Sequence, residues 1–395
     1  MMTLPKLTFW RIIFVLILIA GAWAAVLRFT GGLAASTNLS DEFPWGLWIG
    51  FDILCGVMLA AGGFTLMATV NIFNAERYRS IVRPALLTAF LGYLLVCGAL
   101  MFDLGKPWNI WHVIIMWNPH SVMFEVGWCV MLYTTVLFLE FLPVVFERFR
   151  LERPLRILHA ISIPLVIFGV LLSTLHQSSL GTLYLIVAGK LHPLWYSPLL
   201  PVFFFVSALA VGIAMTMLEA ALSARHLGHR FNVELMAGLS RILLVILAVY
   251  AVLRVQDLSA SGAWATAMNF GYEAQFFWAE MLLGLAIPIV MLSFRALRTS
   301  QRGLFWIAIS VVSGFIINRL NVATVGMEAS SGVRYVPAWP EVAITASIVA
   351  VGIAAFGLAA RYLPIFAHAD VAHQGRDARA HQEPPLTRTP AAAGL

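Results

Sequence analysis

Ten long apolar stretches run along this chain, at about 10–30, 47–74, 83–102, 121–145, 157–176, 200–224, 235–256, 273–297, 302–321 and 341–363. Each reaches the ~20 residues that a helix needs to cross the hydrocarbon core of a bilayer. Lipid offers no partner to a backbone N–H or C=O, so only helices and closed barrels can span it. Runs this long, without apolar–polar alternation, select helices. The basic residues then set the orientation. Alternate gaps carry Lys6 and Arg11; Arg77, Arg79 and Arg83; Arg148, Arg150, Arg153 and Arg156; Arg225 and Arg230; Arg295, Arg298 and Arg302; and Arg361 with the tail. The intervening gaps carry only Arg28, Lys106, Lys190 and Arg334. Short Lys/Arg-rich loops stay in the cytoplasm. The expected fold is an all-α integral membrane protein of about ten transmembrane helices with both termini cytoplasmic. Eight central helices between a first and a last single helix permit a core of two four-helix bundles.

Composition excludes other classes. With 61% hydrophobic and 11% charged residues, this is no soluble domain, and the net charge of +6 reads as loop charge facing anionic lipid, not nucleic acid. Cys55, Cys97 and Cys129 all fall within predicted helices, form no CxxC pair, and are too few for an iron–sulfur cluster. No metal site is expected, so electrons handled here come from a partner. The first apolar run is long and lacks a small-residue cleavage site, which predicts a retained anchor. The domains expected are a first helix and outer loop over 1–40, an eight-helix core over 41–335 and a last helix over 336–364. A Pro-, Ala- and His-rich cytoplasmic tail, expected to be disordered, covers 365–395.

Ionisable groups inside these helices are functional candidates, because each costs several kcal/mol unless paired or lining a cavity. Asp52, Asp103, Glu125, His176, Arg254, Glu280 and Arg319 fall towards the outer face, and Glu140, His159, Glu219 and Arg241 towards the cytoplasm. This predicts one polar cavity below the outer surface with a thinner trail of groups leading inward; helix-end pairing and structural ion pairs are the plainer reading. Quinone chemistry suits such a cavity. It needs an apolar slot open to lipid, aromatic walls and a proton donor within reach of each carbonyl oxygen. Trp45, Trp48, Tyr93 and Trp108 offer aromatic surface at that depth, where Trp and Tyr also belt membrane proteins in general. Haem b is the weaker cofactor, since only His176 and His120 come near a facing pair. A secondary transporter is a further alternative.

The segments EFPWGLWIGFD at 42–52, RPALL at 83–87, NPHSVMFE at 118–125, LHQSSLGTL at 175–183 and HPLW at 192–195 give the chain a resemblance. It resembles the polysulfide-reductase-type (NrfD-like) membrane subunits, and within them most the so-called cytochrome b subunits of uptake nickel–iron hydrogenases. The resemblance implies a haem-free module in the bacterial inner membrane that binds menaquinone or ubiquinone among its first core helices. Electrons would reach it on the periplasmic face from a ferredoxin-like iron–sulfur subunit of a [NiFe]-hydrogenase with large and small subunits. Trp48 and Asp52 match the family's polar quinone contacts, Asp103 to Lys106 its acidic turn, and His176 and Gln177 its HQSS block. The expected assignment is Asp103, His176 and Glu125 for proton chemistry and Trp45, Trp48, Asp52, Tyr93 and Gln177 for quinone contact. Glu140, His159, Glu219 and Arg241 would be stepping stones if protons come from the cytoplasm. The same module could instead serve a molybdenum reductase or a multihaem cytochrome.

Overall fold

The computed structural model describes residues 8–186, 189–269 and 271–366. Ten helices among these are long and apolar enough to cross a membrane. They are α1 (Phe9–Gly31), α2 (Trp48–Asn71), α3 (Glu76–Asp103), α4 (Val122–Phe149), α5 (Ser162–Leu183), α6 (Leu200–His226), α7 (Val233–Ser261), α8 (Tyr272–Ser293), α9 (Gln301–Ser331) and α10 (Trp339–Tyr362). No strand occurs among the described residues. The expected tail lies, from 367 onward, outside them.

Packing follows a simple circuit. In sequence order, α2, α3, α4 and α5 each touch the next, and α5 returns to α2; α6, α7, α8 and α9 do likewise, and α9 returns to α6. Contacts of α6 with α2 and α5, and of α9 with α2, join the two circuits. The first and last helices, α1 and α10, pair with each other and lie against α3. The polypeptide alternates between a basic end, with short Arg-rich turns, and a long-loop end. The basic end is tied across helices: Arg83 donates to Glu147 Oε1 (2.7 Å) and Pro364 O (3.2 Å), and Arg148 to Tyr362 O (3.0 Å). Outward faces are apolar, with Trp10, Ile19, Ile163, Val245 and Ile353 among the exposed side chains. That is the surface a lipid solvent selects, the inverse of the soluble case.

Small residues set the closest crossings. A Cβ at Gly314 of α9 would fall 2.1 Å from the Gly284 nitrogen of α8, and one at Gly212 of α6 would fall 2.8 Å from the Ala61 carbonyl carbon of α2. Backbones approach this closely in membranes because small side chains permit van der Waals contact where no hydrophobic drive exists. Three wider, π-wound segments interrupt the helices, at Trp48–Cys55, Leu282–Ala286 and Asn321–Val325. Such bulges gather at functional sites.

Several helices outrun their apolar stretches. The fifth continues to Leu183, so His176 and Gln177 lie inside α5 and not at its end; Arg319 lies well inside α9; His159 belongs to a separate short helix, Glu152–Ala160, ahead of α5. Polar side chains satisfied by a neighbouring helix do not stop a helix, and hydropathy alone does not register them. Replacing Gly314 by Val should force α8 and α9 apart at a cost of about 1–3 kcal/mol. The thermal unfolding midpoint in detergent should fall; an unchanged midpoint would contradict the crossing.

Candidate functional site

A cleft of about 590 Å³ opens between α2, α3, α6 and α10. Its walls are apolar, from residues such as Leu91, Leu95, Met215, Ile353 and Phe356, and they carry two carboxylates. Asp52, on the π-wound start of α2, is buried and accepts from the Thr345 hydroxyl of α10 (2.6 Å). Glu219 of α6, nearer the basic end, is buried and accepts from the Thr88 hydroxyl of α3 (2.5 Å). Ser223 and His226 extend the polar side of the same cleft towards the basic end. The last helix α10 thus both walls the cleft and holds Asp52.

A second group fills the interior of the first circuit. The Nδ1–H of His176 donates to Leu172 O (2.9 Å), which leaves Nε2 to accept from the Tyr93 hydroxyl. Tyr133 stacks edge-on to Tyr93 with ring centres 4.7 Å apart. The Gln177 side chain donates to Val57 O of α2 (3.0 Å). Ser173 lies near Tyr133, yet the Tyr133 hydroxyl, Ser173 Oγ and Gln177 Oε1 find no partner in hydrogen-bonding geometry. Glu140, two turns along α4 from Tyr133, stands where Gly169 leaves room: a Cβ there would lie 3.8 Å from its Oε1. Buried polar atoms are nearly always satisfied, so this file of unpaired groups suits ordered water.

At the long-loop end Arg28 donates to Phe102 O (2.6 Å) and Leu104 O (2.7 Å), on either side of Asp103. The Trp48 indole donates to Glu341 O (3.4 Å), and the Glu341 carboxylate accepts from the Tyr335 hydroxyl, Ala338 N (2.8 Å) and Asn38 N (3.1 Å). Burial and the Glu341 contact hold the Tyr335 hydroxyl above the ordinary tyrosine range, so it stays a donor. Glu125 accepts from Ser179 Oγ (2.6 Å). Trp45 meets Tyr184 edge-on at 5.4 Å, and both line a second cavity of about 380 Å³ with Phe43, Lys190 and Ser330. In the second circuit, Glu280 accepts from the Trp195 indole (3.1 Å) and Asn321 Nδ2 (2.7 Å), Arg254 pairs with Asp257 (3.0 Å), and Arg319 donates to Ser207 Oγ (2.8 Å) and lies over the Phe204 ring.

The expected single cavity is therefore divided. Asp52 and Glu219 share the lipid-side cleft; Tyr93, His176, Gln177 and Glu140 belong to the interior file. Trp45, Trp48, Asp103 and Glu125 stand at the long-loop end in separate local networks. His159 and Arg241 are exposed towards the basic end, and Trp108 is exposed at the other. Residues that hydropathy and charge do not single out are Thr88, Tyr133, Ser173 and Thr345; Glu341 carries a charge signal at the very start of the last apolar run. Uncharged hydroxyls inside apolar runs carry no hydropathy signal, and only the helix register reveals what they face.

Fold and cleft together define a polytopic helical membrane protein with an apolar, lipid-side site edged by carboxylates. The chain belongs to the NrfD family: residues 35–328 match the family described as polysulphide reductase, NrfD. It is 36% identical over 345 residues to the probable Ni/Fe-hydrogenase 2 b-type cytochrome subunit of Escherichia coli, covering 86% of this chain and 88% of that one. It is 30% identical over 380 residues to the menaquinone reductase integral membrane subunit of Nitratidesulfovibrio vulgaris, 88% of each. The C polypeptide of Wolinella succinogenes polysulfide reductase is 28% identical over 206 residues, 49% of this protein and 64% of that one. The chain is thus an NrfD-type membrane subunit of the kind found in oxidoreductase complexes. The family match ends before α10, so the Thr345–Asp52 bond reaches the core from outside the matched region.

Thr345→Val removes the donor from a buried carboxyl group and should destabilise the protein by about 1–3 kcal/mol, whereas Thr345→Ser should not. Unfolding midpoints of the two variants test this; equal midpoints would mean that the hydroxyl does not hold Asp52.

Proposed function

We propose that the chain is the quinone-reactive membrane subunit of a [NiFe]-hydrogenase complex, and that the quinone occupies the cleft between α2, α3, α6 and α10. The observation that carries this reading is the cleft itself: apolar, flanked by lipid-exposed helices, and edged by Asp52. The relatives named as a hydrogenase subunit and a menaquinone reductase subunit support the partner and the ligand. A bound menaquinone or ubiquinone would supply an acceptor for two electrons and for one proton at each carbonyl oxygen. Asp52 is suited to deliver one proton. Its Oδ2 is held by Thr345, and its Oδ1 makes no hydrogen bond among the described residues. The apolar walls, which reach Phe356, would suit an isoprenoid tail.

Electrons would arrive at the long-loop end from a ferredoxin-like iron–sulfur subunit. Under the positive-inside rule this end is periplasmic and the basic end, with both termini, cytoplasmic, in a bacterial inner membrane. The reading is haem-free; both ring nitrogens of His176 are already engaged, and His120 is exposed. Asp103, Glu125 and His176 keep the proton-handling role proposed for them from outside the cleft, and Trp45, Trp48, Tyr93 and Gln177, expected as quinone contacts, do not line this cleft. Cytoplasmic protons would enter near His159 and Arg241 and pass by Glu140 in the interior file or Glu219 in the cleft. The same module docked to a molybdenum reductase or a multihaem cytochrome is the alternative partner.

In the detergent-purified complex, Asp52→Asn should lower hydrogen-driven reduction of a soluble quinone analogue by about 10²-fold or more while dye-linked hydrogen oxidation persists. Full quinone activity in that variant would remove Asp52 from the site, and a wild-type complex that oxidises no hydrogen would overturn the partner. In proteoliposomes, Glu140→Gln and Glu219→Gln should abolish proton translocation coupled to turnover; unchanged translocation in both would retire the relay.

A further inference from the structure

At the basic end, Arg241 of α7 and Arg295 and Arg298 of the α8–α9 turn line one cavity of about 420 Å³ with Ala237 and Thr299. Among the described residues no carboxylate lines it. Some arginines at this end are tied within the chain, while others, such as Arg150, Arg153 and Arg302, make no side-chain hydrogen bond or ion pair among the described residues. Arg79 pairs with Glu76 (2.6 Å), Arg83 with Glu147 (2.7 Å), and Arg148 with a backbone carbonyl (3.0 Å). What distinguishes Arg241, Arg295 and Arg298 is that all three converge on one cavity while making no hydrogen bond or ion pair among the described residues; Arg241 and Arg295 are exposed and Arg298 is half-buried. Arg298 adds a further signal, because its Nε, like that of Arg254 in the helix interior, is shut off from solvent and has no acceptor among the described residues, and here it faces a cavity. A buried, charged donor left unpaired costs more than a neutral one, and folded proteins rarely tolerate it. Gathering three like charges at one concavity adds mutual repulsion. Both costs are removed by one anion with several acceptor oxygens.

The helix register sets the level. Arg241 lies about two turns inside α7 from its basic end, at roughly 1.5 Å per residue, and its neighbours Ile242, Val245 and Val249 on the same helix are exposed and apolar. A ligand reaching Arg241 there has one part among guanidinium groups and another against lipid-exposed side chains. Guanidinium forks match phosphate oxygens in pairs. We propose that this cavity is a phosphate-binding site and that its ligand is the headgroup of an anionic phospholipid, with soluble phosphate as the other source of the same chemistry. The site is distinct from the quinone cleft, which shares none of its lining residues.

The test uses the complex purified in detergent and stripped of lipid. Thermal unfolding is followed with added phosphatidylglycerol or cardiolipin, with phosphatidylcholine, or with inorganic phosphate, for wild type, Arg298→Gln and Arg298→Lys. The expected result is a rise of several degrees in the wild-type midpoint with anionic lipid and none with phosphatidylcholine. Arg298→Gln should weaken the lipid response by about tenfold in concentration, while Arg298→Lys, which keeps the charge, should lose less. A rise with inorganic phosphate that matches the anionic lipids supports the site and assigns it to the soluble ligand. Equal responses to phosphatidylcholine and anionic lipid, or an Arg298→Gln response identical to wild type, overturn the proposal. If Arg298→Gln does not fold, Arg241→Gln with bound-lipid phosphorus counted after purification takes its place; undiminished anionic lipid would then overturn it.

Discussion

A polar group inside a membrane helix has no water to fall back on, and the architecture depends on how each one finds a partner on another helix. Asp52 of α2 is held by Thr345 of α10, Glu219 of α6 by Thr88 of α3, Gln177 of α5 by a carbonyl of α2, and Glu280 of α8 by Asn321 of α9. Each bond crosses between helices, so each fixes register and rotation as well as satisfying a donor or acceptor. In a bilayer, where burying one leucine against another gains little over lipid, such bonds and the glycine crossings do the aligning. The cleft exists because α10 is tied to α2 at Asp52 near one end of its wall, while the apolar side chains below that bond stay apart.

The polar groups fall into separate neighbourhoods, and the separation has chemical meaning. A cleft among lipid-exposed helices can admit an isoprenoid molecule and return it. The file around His176, Tyr93 and Tyr133 is walled in by the first circuit and is better suited to water or protons than to a ring system. The long-loop end combines aromatic surface at Trp45 and Tyr184 with the Arg28, Asp103 and Glu341 networks, so electron input there would lie above the cleft rather than inside it. In the second circuit, Arg254, Asp257, Glu280 and Arg319 are densely bonded to one another's surroundings and tie down the loop that carries Leu194, Trp195 and Ser197. These bonds mark them as a rigid base, in which Arg254 Nε alone of their charged atoms is buried without a partner among the described residues.

Most of the architecture was legible in the sequence, because the bilayer imposes a length and a hydropathy that few soluble folds share. The ten apolar runs became ten helices, and the three cysteines are unpaired, two of them buried and one half-buried. What the sequence did not reveal was which buried groups face one another. Asp52, Glu125 and His176 looked like members of one cavity because they share a depth, yet depth leaves the angle around the helix axis open. Asp52 turns to α10, Glu125 to Ser179 and His176 to Tyr93. Thr345 and Thr88 were invisible for a related reason: a threonine in an apolar run draws no notice until its carboxylate partner is known. The apolar run 157–176 predicts one helix that includes His159, but the turn at Ile161, which no charged residue announces, leaves His159 in a separate helix ahead of α5.

The central claim is that quinone binds in the α2–α3–α6–α10 cleft. A photoreactive quinone analogue, activated in the membrane-embedded complex and mapped by peptide mass spectrometry, tests it most directly. The account predicts adducts on cleft-lining residues of α2, α3, α6 and α10, such as Phe51, Leu91, Met215 and Ile353, that are lost when unlabelled quinone competes. Competed labelling confined to the Trp45–Tyr184 cavity or to the second circuit, with the cleft unmarked, would contradict it.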